Sequence, residues 1–224
     1  MDWEALRLSL RLAVLTTLTL LALGLPLAHW LAFTRWRWKF LVEAVVALPL
    51  VLPPTVLGFY LLVAMGPHSP FGRLWASAFG HALPFSFEGL LIASVLYSLP
   101  FTVQPFAAAF SAVDRGLLEA SWCLGASRLR TFFRVVVPLS WAGILTGMVL
   151  SFAHTLGEFG VVLMVGGDLP GRTRTASIAV FDQVQALDYA AAGRTALLLL
   201  GVSFGVLALT YGLRHARRLP WPLS

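Results

Sequence analysis

Cysteine occurs once in this sequence, at Cys123, so the chain can form neither an intrachain disulfide nor a cysteine-based metal cluster. Lysine also occurs once, at Lys39, and not within G-x-x-x-x-G-K, so these residues contain no phosphate-binding loop. The five histidines are scattered, without H-E-x-x-H or any other metal spacing. Ser151 and His154 lie close together, but nothing supplies the orienting group or oxyanion hole of a catalytic triad. GVSFG at 201–205 matches G-x-S-x-G, yet it lies inside an apolar run where a nucleophile elbow's strand and turn have no place. Gly201 and Gly205 read instead as a small-xxx-small packing pair, a spacing that Gly143 and Gly147 repeat. Charge is scarce too: Asp, Glu, Lys and Arg make up 12% of 224 residues, against about 25% in a soluble domain. Together these absences argue against hydrolytic, metal-dependent or ATP-cleaving chemistry in this chain, and no cofactor is implied.

What is abundant is apolar sequence. Hydrophobic residues reach 58% and mean hydropathy is +0.83. Five runs, at 12–33, 41–65, 89–110, 135–165 and 195–213, meet or near the ~20 residues that cross a bilayer's ~30 Å core. The expected fold class is therefore an all-α integral membrane protein with five transmembrane helices, in a single domain over 1–224. The small extramembrane loops leave no room for another folded domain. The first run is too long for a signal-peptide core and lacks a cleavage site, so it is kept as a span. The fourth is too long for one straight crossing and is expected to break or to leave the hydrocarbon.

The net charge of +6 reads as an orientation signal rather than as nucleic-acid binding. With the N-terminus outside, one face carries Arg35, Arg37, Lys39, Arg115, Arg128, Arg130, Arg134, Arg214, Arg217 and Arg218. The other carries Arg7, Arg11, Arg73, Arg172, Arg174 and Arg194. The richer set predicts the cytoplasmic face, with the C-terminus inside. Trp36 and Trp38 fit an interfacial aromatic belt beside the first cytoplasmic loop.

The loop at 111–138 breaks the greasy pattern. Asp114 is placed to cap a short helix, in which Leu118 and Trp122, four apart, share a face. Gly125 is placed to end it, since glycine accepts backbone angles that other residues avoid. Ser127 can cap a second helix, and Pro138 marks where the fourth span must kink or begin afresh. The loop thus predicts helix, turn, helix at the membrane's inner face, either an interfacial linker or a docking element.

Glu119-Ala120-Ser121, three residues, Gly125, nine residues, then Val135-x-Val137-Pro138 resembles the E-A-A, G, I-x-L-P loop of ABC importer permeases in every spacing. The resemblance implies the type I importer permease fold, with Leu118, Glu119, Ala120, Ser121, Trp122, Gly125, Ala126, Ser127 and Pro138 in an ATPase-coupling segment. Ala120 and Ser121 permit close approach, and Leu118 and Trp122 are expected to fill an apolar groove on the ATPase.

Nearly the whole length is similar to the molybdate branch of that family. ALPLVLPPTVLGFYLLVAMG at 47–66, FAHTLGEFG at 152–160 and PGRTRT at 170–175 carry the likeness. DYAAA at 188–192 resembles sulfate permeases equally. The resemblance implies these partners: a second copy of the chain, two ABC ATPase subunits and a periplasmic or extracellular molybdate-binding protein, all at the cytoplasmic membrane. The resemblance implies molybdate as the cargo, with tungstate a further candidate and sulfate or thiosulfate the alternative. A stand-alone secondary transporter is expected to show internal repeats and paired buried charges. Neither is apparent. A membrane scaffold is the remaining alternative.

Candidate gate or pathway residues are Pro53, Pro54, Thr155, Gly157, Glu158 and Gly160. Pro49, Pro53 and Pro54 interrupt helical hydrogen bonding, which membrane helices tolerate beside a cavity or in a packed kink. Glu158 is the one charged residue of the run after Arg134, a functional candidate if deep and an unremarkable acid if at the outer interface. Arg172 and Arg174 lie in the expected outer loop, either docking a binding protein or solvated.

Overall fold

The computed structural model describes residues 2–216, so the expected cytoplasmic arginines Arg217 and Arg218 lie outside the described residues. The described residues are helical, without a strand. The helices are α1 (Trp3–Phe33), α2 (Lys39–Val51), α3 (Pro54–Met65), α4 (Pro70–Phe79), α5 (Phe87–Ser111), α6 (Arg115–Cys123) and α7 (Arg128–Thr131). A π-helical turn, Phe132–Val136, leads into α8 (Val137–Leu139), α9 (Trp141–Gly157), α10 (Gly160–Gly166), α11 (Ala176–Gln185) and α12 (Tyr189–Ala216).

Three helices, α1, α5 and α12, are long and apolar enough to cross a membrane, and there are five spans if each bent pair counts as one. The first span starts earlier than hydropathy predicts, because Asp2 caps it: its Oδ1 accepts the Ala5 N–H at 2.9 Å. The second run is not one straight helix. α2 and α3 meet at 115°. Of its three prolines, Pro49 stays inside α2, while Pro54 opens α3 at the position where a missing N–H costs nothing. The fourth run is cut twice. It bends by 75° just after Pro138, and it stops at Gly157 before α10 resumes.

α1, α5 and α9 form the centre. Gly147 of α9 meets α5 so closely that a Cβ would lie 2.7 Å from Phe106 Cε1 and 3.0 Å from the Thr102 carbonyl. Such small-residue contacts hold membrane helices together, since lipid offers no hydrophobic drive between them. Gly143 packs likewise against Pro105 and Ala109 of α5, as its spacing predicts. Gly201 and Gly205 do not: each faces open space, and Phe204 between them is exposed. Phe106, Phe110, Phe132 and Ile144 form the largest buried cluster, which joins the spans to the 111–138 loop.

Candidate functional site

The loop folds as its local signals dictate. Asp114 Oδ1 accepts the Gly116 N–H at 2.8 Å and Ser127 Oγ the Arg130 N–H at 3.3 Å. Gly125 stands between α6 and α7 at φ +80°, with nothing within 4 Å of where a Cβ would lie. The left-handed turn there favours glycine. Ser121 Oγ and Thr131 Oγ1, 2.9 Å apart, tie α6 to α7. Leu118 corrects one expectation: it is only 5% exposed and packs inward with Phe132 and Phe110, so it is not free to fill a partner's groove. The outward apolar residues are Leu117, Trp122, Leu124 (88% exposed) and Leu129 (68%), with Ala120, Glu119 and Ser127 also at the surface. Ala126 is half-buried beside the turn.

A second constellation forms where the broken spans meet. Pro54, Gly157, Glu158 and Gly160 line a cavity of about 490 Å³, with Tyr97 and His154 on its wall. Gly160 brings α10 onto α3, and Gly58 of α3 does the same against Met164. Glu158 sits in the break itself, only 6% exposed. Its backbone oxygen accepts from Ser177 Oγ of α11. Its Oε2 receives one long hydrogen bond, 3.4 Å, from Ser94 of α5, and Oε1 has none. A buried carboxyl this poorly satisfied is costly, and such groups in membranes are conspicuous functional candidates. Pro53 caps α3 at the surface and does not line the cavity. Thr155 lies behind it, bonded to Ser98 Oγ at 3.0 Å, which also contacts His154 Nδ1 at 2.9 Å. Phe101 stacks on the His154 ring, 4.0 Å between centroids.

These polar partners escaped sequence reasoning, though a signal was there. Ser94, Ser98 and Thr102 recur every four residues along α5, one polar stripe on one face, and all three are fully buried.

The two outer arginines separate. Arg174 grips Asp168 through Nε–Oδ1 and Nη2–Oδ2 (3.0 Å), with Asp182 at 3.4 Å and Asp2 at 3.9 Å. Its hydrogen bonds hold the Asp168 carboxyl below the usual range. Asp182 is pushed up, first by burial and then by the neighbouring Asp168. Arg174 therefore pins the N-terminus of α1 to α11, and its charge is spent internally. Arg172 makes no ion pair among the described residues; with Arg7 and Arg11 it lines an open basin of about 1000 Å³ that Glu4 and Glu88 share.

Residues 10–217 match the family model of the binding-protein-dependent transport system inner membrane component. This chain belongs to that family. The molybdenum transport system permease protein ModB of Azotobacter vinelandii is 54% identical over 214 residues, covering 96% of this chain and 95% of that protein. The Escherichia coli protein of the same name is 39% identical over 184 residues, covering 82% and 80%. In fold, the chain is similar to a bacterial ABC transporter involved in alginate import, with TM-score 0.75 and 15% identity, over 97% of this chain and 79% of that one. The family places these helices in the membrane component of an importer, which agrees with their length and composition.

Proposed function

We propose that this chain is the membrane subunit of an ATP-driven importer of molybdate, and of the similar dianion tungstate. The observation that carries the cargo is the 54% identity to a molybdenum permease along nearly the full length. Two copies form the pathway in the cytoplasmic membrane, N-termini outside and C-termini inside, and each offers α6 to one ATPase subunit. ATP hydrolysis belongs to those partner subunits. Closure of the ATPase pair displaces α6. Because Leu118 is rooted in the cluster of Phe106, Phe110 and Phe132, the displacement reaches α1, α5 and α9. The apolar residues that meet the ATPase are Leu124, Trp122 and Leu129, which are exposed, and Glu119 is free to pair with a cation there.

Pro54, Gly157, Glu158 and Gly160, with Pro53 and Thr155 beside them, form the gate. An acid on an anion pathway disfavours a dianion, so Glu158 serves the closed gate's architecture rather than cargo binding. The outside binding protein docks over the basin with Arg172, where opposite charges steer association.

A sulfate importer is the second reading, since DYAAA at 188–192 does not separate the two cargoes and a probable sulfate transport system permease protein of Chlorella vulgaris is 33% identical over 174 residues. Uptake of labelled molybdate by vesicles holding this chain, its ATPase and its binding protein tests both. The expected result is ATP-dependent uptake that survives excess sulfate and disappears in Gly125→Trp. Indifference to Gly125→Trp rejects coupling through the loop, and strong sulfate competition moves the cargo to sulfate.

A further inference from the structure

Between the C-terminal end of α1, α6, α7 and the π-helical turn lies a second charged cavity, of about 370 Å³. We propose that it binds the phosphate head group of an anionic phospholipid. Its charged lining is Arg35, Arg115 and Arg128 against a single acid, Glu119. None of the four has an ion-pair partner among the described residues. Among the described residues only Lys39 and Arg174 make ion pairs, so what sets these three arginines apart is that they share one hollow. Three unpaired guanidiniums around one hollow are an arrangement that a phosphate oxygen cluster completes, since their fork geometry matches it. His29, also on the lining, leaves a buried Nδ1 without a hydrogen-bond partner.

The apolar part of the lining is Phe33, Leu118, Trp122, Phe132 and Val136. A free inorganic anion makes no use of that wall. A phospholipid uses both parts, with its phosphate on the arginines and its glycerol and first methylenes against the rings. The position fits as well. The cavity adjoins the end of the long apolar helix α1, close in sequence to the exposed Trp36 and Trp38, where head groups lie. Volumes of about 300–1,000 Å³ are usual for small-ligand pockets. The bound lipid would fill the gap under α6, so the seating of that helix would depend on lipid composition. This inference rests on α1 spanning a bilayer and on the cavity, and not on the cargo or the ATPase.

The test is native mass spectrometry of the full chain, with whatever subunits co-purify, released from nanodiscs of equal phosphatidylglycerol and phosphatidylcholine. Wild type is expected to retain phosphatidylglycerol selectively. Arg35→Gln with Arg128→Gln is expected to lower that retention by about tenfold or more, since each cavity guanidinium removed takes away charge-assisted hydrogen bonds to the phosphate. Arg37→Gln, outside the cavity, is expected to leave it unchanged. If the double variant does not purify folded, Arg35→Gln alone gives the reading, because Arg35 lies in an exposed loop. Equal retention of the two lipids, or no loss in the variants, overturns the proposal, as it would if a partner protein's side chain filled the cavity. Displacement of phosphatidylglycerol by millimolar inorganic phosphate overturns it in favour of a free anion.

Discussion

Gly160 and Pro54 touch across the two broken spans so closely that a Cβ on Gly160 would stand 2.7 Å from Pro54 Cβ. Real Cβ contacts are not that short, so a side chain there must push α10 off α3. Gly160→Val is expected to cost about 1–3 kcal/mol, the usual range for overpacking, and to lower the thermal midpoint of the detergent-solubilised protein. Gly157, three residues earlier, has nothing within 4 Å of a Cβ, and Gly157→Ala is expected to leave the midpoint near wild type. Equal effects would show that this contact does not hold the broken spans together.

The half-satisfied carboxyl in the same break predicts a defect in coupling rather than in folding. Glu158→Gln keeps the shape and removes the ionisable group. It is expected to reduce molybdate imported per ATP hydrolysed in proteoliposomes while the protein still assembles. An unchanged ratio would remove Glu158 from the gate.

Ser121 occupies a position where the family pattern has alanine, and its hydroxyl bonds Thr131. Ser121→Ala is expected to cost about 0.5–1.5 kcal/mol, the net value of one hydrogen bond, with uptake retained. A double-mutant cycle with Thr131→Val should return an interaction of that size. Additive effects would mean that the pair is not coupled.

The carboxylates around Arg174 predict opposite signs for two substitutions. Asp168 has its pKa lowered by Arg174, so it stabilises the fold above the ordinary carboxylate pKa, and that stability fades as pH falls through the folded value. Asp182 has its pKa raised, so folding opposes its ionisation, and stability is lost as pH rises through its folded value. At pH 7, Asp168→Asn is expected to lower the melting temperature and Asp182→Asn to raise it. The Asp182 difference should shrink as pH falls toward about 4, the ordinary carboxylate value, and the Asp168 difference only below it. A fall in both variants at pH 7 would refute the assignment.

How far these features could be read from the sequence depended on how local their causes are. The caps Asp114 and Ser127, the turn at Gly125 and the bend after Pro138 are set by residues within one helical turn, and they appear where expected. The direction of Leu118 is not local. Leu117 and Leu118 are equally apolar, and only the aromatic cluster of Phe110 and Phe132 decides which one turns inward. The break in the second run was anticipated at its three prolines, but packing chose Leu52–Pro53 and left Pro49 helical. From sequence Arg174 reads as an outer-loop charge, docking or solvated, because two of its partners, Asp2 and Asp182, are remote in sequence or on a helix of their own. The stripe of Ser94, Ser98 and Thr102 was readable at four-residue spacing, and hydropathy alone concealed it.

The lone cysteine has a practical consequence. Cys123 is free and exposed at the end of α6, beside Leu124. A thiol-directed dye or spin label therefore attaches at one position per chain, on the helix proposed to meet the ATPase, with no cysteine-free background to engineer. In a two-copy assembly the paired labels form a ruler between the two loops. Their separation through the nucleotide cycle would record whether the two helices approach together.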